Sequence, residues 1–391
     1  MVVWSREEQD SLVNAFTVGD DPVLDLKLLL YDIQASLAHA KMLEKIKVLS
    51  SDELVQLEKG LGEIKQLHSD GKFLISKKQE DGHTAIEEYL TEKYGEVGKK
   101  IHTGRSRNDQ VKAALHLYFK DKLKEIEGKI NLFNTALDEA IKKYGNIEMP
   151  GYTHMQKAMP SSIGLWLGSF LAASKDNLKL LKTVKDIIDQ NPLGSGAGFG
   201  VPLNIDKELT KDLLGFSKVQ DNPVYVQHSR GKFEGMIIDL ISAIMLDLGK
   251  LSSDLMLFSM QEFDYVKLPD NLLTGSSIMP QKKNYDILEL VRGKYHIALG
   301  HGMAVKSLSG NLISGYNRDV QLTKDPIIKS LEIGDDCLGI MTLVVSNLSV
   351  SEENCKKAMT KDLYATSEVY KLVEQGMSFR EAYHKVKEGI E

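Results

Sequence analysis

The chain has 391 residues, 42% hydrophobic and 27% charged, which is enough apolar content to bury a sizeable core and too much for a disordered tail. Its 49 basic and 55 acidic residues leave a formal charge of −6, so electrostatics give no reason to expect nucleic acid as a partner. Two cysteines, Cys337 and Cys355, exclude a disulfide scaffold, and no window approaches the roughly 18 uncharged apolar residues of a membrane span.

In chain order, the opening MVVWSREEQD lacks a basic stretch followed by an apolar one, so it does not read as a signal peptide. The expectation is a soluble, cytoplasmic protein without membrane partners. Only nine prolines occur, with none between Pro22 and Pro150 or after Pro326. Proline costs about 3 kcal/mol in a helix interior, so proline-free spans permit long helices. The first hundred residues read as short, polar helices broken by a turn at 69–71. A stripe of Ile126, Ile130, Phe133 and Leu137 then predicts a helix over about 107–143. Pro150 and Pro160 bound a predicted loop. Leu180, Val184 and Ile187 predict the inner face of a second long helix, over about 161–190.

The clearest pattern follows between 231 and 261, where Ile237, Ile241, Ile244, Leu248, Leu251, Leu255 and Phe258 recur in alternating steps of four and three. A fourth helix is predicted from Asp286 to about Ser309. A fifth opens at Pro326 and carries Ile327, Leu331, Leu338, Met341, Val345 and Leu348. Smaller helical patterns fill 351–391, with Glu352 and Glu353 suited to a first turn. The reading is all-α, in three parts: a small helical domain over 1–104, a long-helix bundle over 105–350 and a short helical piece over 351–391.

Common cofactor and metal motifs are missing. The glycines between Gly194 and Gly200 do not fit a dinucleotide-binding spacing and read as a loop at a helix end. There is no phosphate loop of the GxxxxGK[ST] kind, no CxxC and no HExxH, which argues against a dedicated zinc site. Four polar segments remain. In GRSRNDQV, Gly104 to Val111, Ser106 and Asp109 have capping-box spacing, and Arg105 and Arg107 sit at the helix's positive end. That conflict is relieved by an anion docking there or by nearby acids. GYTHMQ, Gly151 to Gln156, offers a histidine able to carry protons near neutrality, or one that is merely solvated. The loop from Thr274 to Asn284 places Ser276 and Ser277 near Lys282 and Lys283. A lysine and loop N–H groups there would stabilise a serine oxyanion, lowering its pKa for use as a base; the alternative is a plain connector. The run Tyr316 to Lys324 is polar and, alone, ambiguous.

Together these segments resemble the fumarase/aspartase superfamily, whose members eliminate fumarate from substituted succinates. The PQKKN ending, Pro280 to Asn284, and GRSRNDQV are similar to the argininosuccinate lyases, as are YDIQ at Tyr31, AHAKML at Ala38, GYTH and QEF at Gln261. The resemblance covers residues 20–391 and implies three helical domains, with the central helices of four chains forming a twenty-helix core. In such a homotetramer each active site is shared between protomers. It implies cleavage of argininosuccinate to arginine and fumarate in arginine biosynthesis, without cofactor or metal.

By the same resemblance Ser276 is the base that removes the Cβ proton. Lys282 and Asn284 hold the resulting aci-carboxylate. His154 is the general acid or an orienting group, with Glu289 as its charged partner. Arg107, Asn108, Ser106 and Thr153 bind substrate; Tyr316, Gln321 and Lys324 contact its arginine-side or carboxylate groups; Arg230 is a looser match. The sequence departs from the family at Tyr285, where proline is usual, at Phe199 within the glycine loop, and at Asp21, near a usual substrate-binding serine. Family members commonly run several tens of residues further, so a shortened C-terminal domain is expected. Adenylosuccinate lyase or aspartase activity, and a crystallin-like structural relative lacking activity, are the alternatives. The first two fit PQKKN and GRSRNDQV poorly, and the last predicts losses at Ser276, Lys282, His154 and Glu289, all present.

Overall fold

The structure, a computed structural model, describes residues 10–389. Among them fifteen α-helices dominate, joined by four two-stranded β-pairings. Five helices are long: Arg107–Tyr144, Ile163–Ile188, Lys232–Phe258, Asp286–Ser309 and Lys324–Ser346. At 1.5 Å per residue the 38 residues of the first span about 57 Å. No helix among the described residues is long and apolar enough to cross a membrane. The chain forms two compact units, each receiving part of every long helix.

The first unit comprises Met1–Glu125, Leu181–Asp239 and Gly300–Leu331. Its helix Asp21–Lys45 starts with Pro22 in the first turn, where a missing N–H costs nothing. Helix Ser51–Ser69 begins with a full capping box between Ser50 and Glu53. Helix Gly82–Tyr94 is capped by Asp81, whose carboxylate accepts the Thr84 N–H at 2.9 Å and hydroxyl at 2.7 Å. The three helices close on a core that includes Leu29, Leu43, Leu57, Leu61, Ile86 and Leu90. At Gly60 a Cβ would stand 2.4 Å from the Leu90 side chain, so any larger residue at this helix crossing displaces the Leu90 and Tyr94 side chains.

The second unit comprises Ile126–Leu180, Leu240–Leu299 and Glu332–Glu391. Every member of the stripe from Ile237 to Phe258 is buried, as is the Ile327-to-Leu348 stripe, so the heptad spacing did identify core-facing sides. Helix Ile163–Ile188 differs from expectation. Val184 is buried as expected, but Leu180 is 41% exposed and Ile187 half-buried, their neighbours Leu181 and Ile188 being the buried residues.

The predicted loop between Pro150 and Pro160 is instead a β-hairpin, Glu148–Thr153 against Gln156–Ser162, with the two prolines opposite one another. His154 and Met155 form its two-residue tip with φ of 51° and 60°, the left-handed pair that matches strand twist in a tight hairpin. Tyr152 anchors the hairpin: its ring packs on Phe258 and Phe263, and its hydroxyl meets that of Tyr265 at 2.8 Å.

Candidate active site

In the first unit, a small cavity of about 100 Å³ opens onto solvent. Its lining includes four carboxylates, Asp21, Asp25, Glu80 and Asp81, and four cations, Arg107, Arg230, Arg318 and Lys324. His83, Asn108, Tyr316 and Gln321 complete its polar wall. Such a mixture of signs suits a ligand that itself carries both carboxylates and a cationic group.

Each charge is held by a partner. Arg107, at the start of the longest helix, donates through Nη1 to Glu80 and Asp81, both at 2.9 Å. Acids thus answer the arginine at the helix's positive end, the second of the two readings its sequence allowed. Burial works against the Asp81 carboxylate, but His83 and Arg107 beside it hold its pKa below the ordinary value. Lys324 is buried and donates to Asp25 at 2.6 Å, with Asp21 at 3.0 Å. Burial alone would lower its pKa; Asp25 and Asp21 reverse that and raise it. Asp21, where the family resemblance led one to expect serine, is thereby a pocket acid, its own pKa raised by burial.

Arg230 is buried, with Nε 3.5 Å from Glu234. Gln321 and Arg318 both donate to the Thr17 carbonyl, at 3.1 and 2.8 Å, and Arg318 Nε donates to Gln321 Oε1. Ser106 serves the cap: its Oγ accepts the Asn108 N–H at 3.3 Å, and its N–H donates to Asp109 at 2.9 Å. Asp109 is fully buried, and its second oxygen accepts from Gly194 and Gly196 at 3.2 and 2.9 Å. Burial pushes its pKa up to about 6. The glycine cluster is therefore a backbone cradle for this carboxylate rather than for a dinucleotide.

The remaining candidates lie in the second unit. Strand pairing of Thr274–Gly275 with Lys283–Asn284 pins both ends of the serine loop. The Asn284 side chain adds a 3.4 Å bond to the Gly275 carbonyl. Within the loop Ser276 Oγ accepts the N–H groups of Met279 at 3.0 Å and Ile278 at 3.3 Å. Two donors aimed at one hydroxyl oxygen favour its deprotonated form. Lys282 is exposed on this loop, Thr153 and His154 are exposed at the hairpin tip, and Glu289 is exposed in the first turn of its helix.

The structure thus gathers Arg107, Asn108, Arg230, Tyr316, Gln321 and Lys324 around one cavity, while Ser276, Lys282, Asn284, Thr153, His154 and Glu289 belong to the other unit. Asp25, Glu80, Asp81, His83 and Arg318 were missed from sequence; the acidic pair Glu80-Asp81, with Asp81 in N-cap position before helix Gly82–Tyr94, was the one available signal. Among the described residues no group of three or more His, Cys, Asp or Glu side chains is placed to hold a metal.

A family model described as a lyase matches residues 6–300. The argininosuccinate lyase of Thermotoga neapolitana is 47% identical over 379 residues, covering 97% of this chain and 95% of its own. Those of Parabacteroides distasonis and Stenotrophomonas maltophilia are each 39% identical, with 87% and 88% of their lengths matched. Among solved structures, EDDS lyase in complex with formate superposes with a TM-score of 0.82 at 24% identity, covering 97% of this chain and 76% of that one. The class II fumarase of Schistosoma mansoni gives 0.80 at 18% identity, covering 96% and 91%. Helical architecture and close sequence likeness agree: the chain belongs to the argininosuccinate lyases of the fumarase/aspartase superfamily.

Proposed function

We infer that this protein eliminates fumarate from argininosuccinate and releases arginine, as a step of arginine biosynthesis in the cytoplasm. The observation that carries this reading is the cavity of paired acids and cations around Arg107 and Lys324 in a chain of this family. Argininosuccinate carries three carboxylates, an ammonium and a guanidinium, and needs both signs of partner.

In the proposed reaction Ser276 Oγ, its alkoxide held by the Ile278 and Met279 N–H groups, takes the Cβ proton of the succinyl moiety. Lys282 and Asn284 stabilise the aci-carboxylate that forms. The electron pair then closes the Cα–Cβ double bond and expels the guanidino nitrogen, breaking Cα–N. A guanidinium leaves readily, so His154, paired with Glu289, has only to orient the group or return a proton to it. Arg107, Asn108, Ser106, Thr153, Arg230, Tyr316, Gln321 and Lys324 bind and orient the substrate, with no cofactor or metal. In the free protein the Gln321 amide is engaged with Thr17, so substrate contact there requires exchange of that bond.

We further propose that the active form is a homotetramer with shared active sites, organised as the domains 1–104, 105–350 and 351–391. Leu132, Leu165, Leu246, Leu290 and Ile297 are between 51% and 69% exposed on long helices of the second unit, an apolar surface suited to covering by other copies. Sedimentation at four times 43.6 kDa supports this assembly, and a monomer contradicts it. Incubation with argininosuccinate should yield arginine and fumarate in equal amounts; fumarate without arginine contradicts the proposed reaction.

A further inference from the structure

His83 stands in the first turn of helix Gly82–Tyr94, only 7% exposed, and lines the cavity of the first unit. Its Nδ1 is committed to the Asp32 carboxylate in a close, buried contact. Asp32 is in turn bound by Ser36 Oγ at 3.5 Å, and Ser36 accepts from Arg105 Nη1 at 3.0 Å. Arg105 is itself buried and anchored through Nη2 on the Ile101 carbonyl at 2.9 Å. Three side chains on two other segments of the chain therefore fix one imidazole. Its other nitrogen, Nε2, is buried and has no hydrogen-bond partner among the described residues.

That arrangement is costly unless something answers it. Burial works to lower the His83 pKa, but Asp32, Asp81 and Asp25 raise it overall, which favours the doubly protonated ring, in which Nε2 is a donor. An unanswered donor on a buried, charged ring is destabilising, and a ligand oxygen would recover that energy. The surroundings select which oxygen. The cavity's balanced set of four carboxylates and four cations suits a zwitterionic amino-acid end, whose ammonium the acids accept, better than the dianionic fumarate half. The carboxylate of that end is left for the cations.

We propose that His83, pinned through Nδ1 by Asp32, is a further substrate-binding residue whose Nε2–H donates to the α-carboxylate of the arginine half. This rests on the reading of the substrate as argininosuccinate. It gives the Asp32–Ser36–Arg105 chain a purpose: holding the ring's one free donor towards the ligand.

The test is product inhibition in the full-length enzyme, with arginine and fumarate titrated separately against argininosuccinate. Asparagine reproduces the Nδ1 side of histidine and glutamine the Nε2 side. His83→Asn should raise the inhibition constant of arginine about tenfold, as expected for loss of one charge-assisted bond, and leave that of fumarate within about twofold. His83→Gln should bind arginine better than His83→Asn. Unchanged arginine inhibition in His83→Asn, or equal weakening for both products, overturns the proposal. In wild-type protein labelled with ¹⁵N-histidine, arginine should move the Nε2 resonance that His83→Gln deletes, and a resonance that stays put also overturns it. Failure of the wild type to cleave argininosuccinate would instead remove the substrate reading, while arginine titration of the labelled ring still reports on His83.

Discussion

Asp109 accepts the Gly196 N–H at 2.9 Å, joining the first turn of the longest helix to a loop 87 residues away. With Gly194 and Ser106 also donating, one buried carboxylate answers three backbone groups. It thereby fixes the helix start that presents Arg107 and Asn108. Asp109→Ala leaves those donors unpaired, at about 1–3 kcal/mol each, so we expect a loss of roughly 3 kcal/mol or more in urea denaturation. Asp109→Asn, which keeps one acceptor oxygen, should lose less. A loss below about 1 kcal/mol in the alanine variant would show that the cradle does not stabilise the fold.

Ser276→Ala should lower turnover by about 10²–10⁴, the usual contribution of a positioned base. The residue lies on a pinned, largely exposed loop, so its melting temperature and oligomeric state should stay near those of the wild type. Wild-type turnover in this variant would remove Ser276 from the reaction.

Lys324 and Arg107 separate by burial. Lys324 is 2% exposed between Asp25 and Asp21, so Lys324→Met strands buried carboxylates and should cost about 3–5 kcal/mol. The Arg107 side chain is 34% exposed, and Arg107→Lys keeps the charge but loses the planar fork. Its effect should appear chiefly as a KM raised by about tenfold with stability nearly unchanged, read from steady-state kinetics and thermal melts.

Lys112 is fully buried, donates to Ser229 Oγ and lies 5.2 Å from the Phe233 ring centre. Burial lowers its pKa to about 7 from an ordinary 10.5. Between those values the unfolded chain binds the proton and the folded protein does not, so stability rises with pH across the window. We expect a rise of roughly 1–2 kcal/mol from pH 7 to 9, allowing about one unit of pKa shift to be effective. Lys112→Met should flatten it in urea titrations at each pH. An identical pH slope in wild type and variant would contradict this.

The long helices were legible because apolar side chains repeating in steps of four and three face a core whatever the fold's details. The Leu180 stripe failed by one residue because Leu180 and Leu181 are adjacent and only packing chooses between them. The hairpin was hidden by Pro150 and Pro160, which normally break strands; in a two-stranded ribbon they can face one another with no third strand demanding their missing N–H. Three cations of the cavity, Arg107, Arg230 and Lys324, were readable as motif residues, but Arg318 and the partners were not. Arg107 meets Glu80 across 27 residues of chain and Lys324 meets Asp25 across 299, distances over which a sequence pattern carries no spacing. His154 and Ser276 were identified by resemblance, and their exposure on a hairpin tip and a loop was not predictable from residue type.

The most direct measurement is fumarate release, followed by ultraviolet absorbance, with argininosuccinate, adenylosuccinate, aspartate and malate supplied separately to the wild-type enzyme. The account predicts turnover of argininosuccinate alone; release from adenylosuccinate instead, or from none of the four, would contradict it.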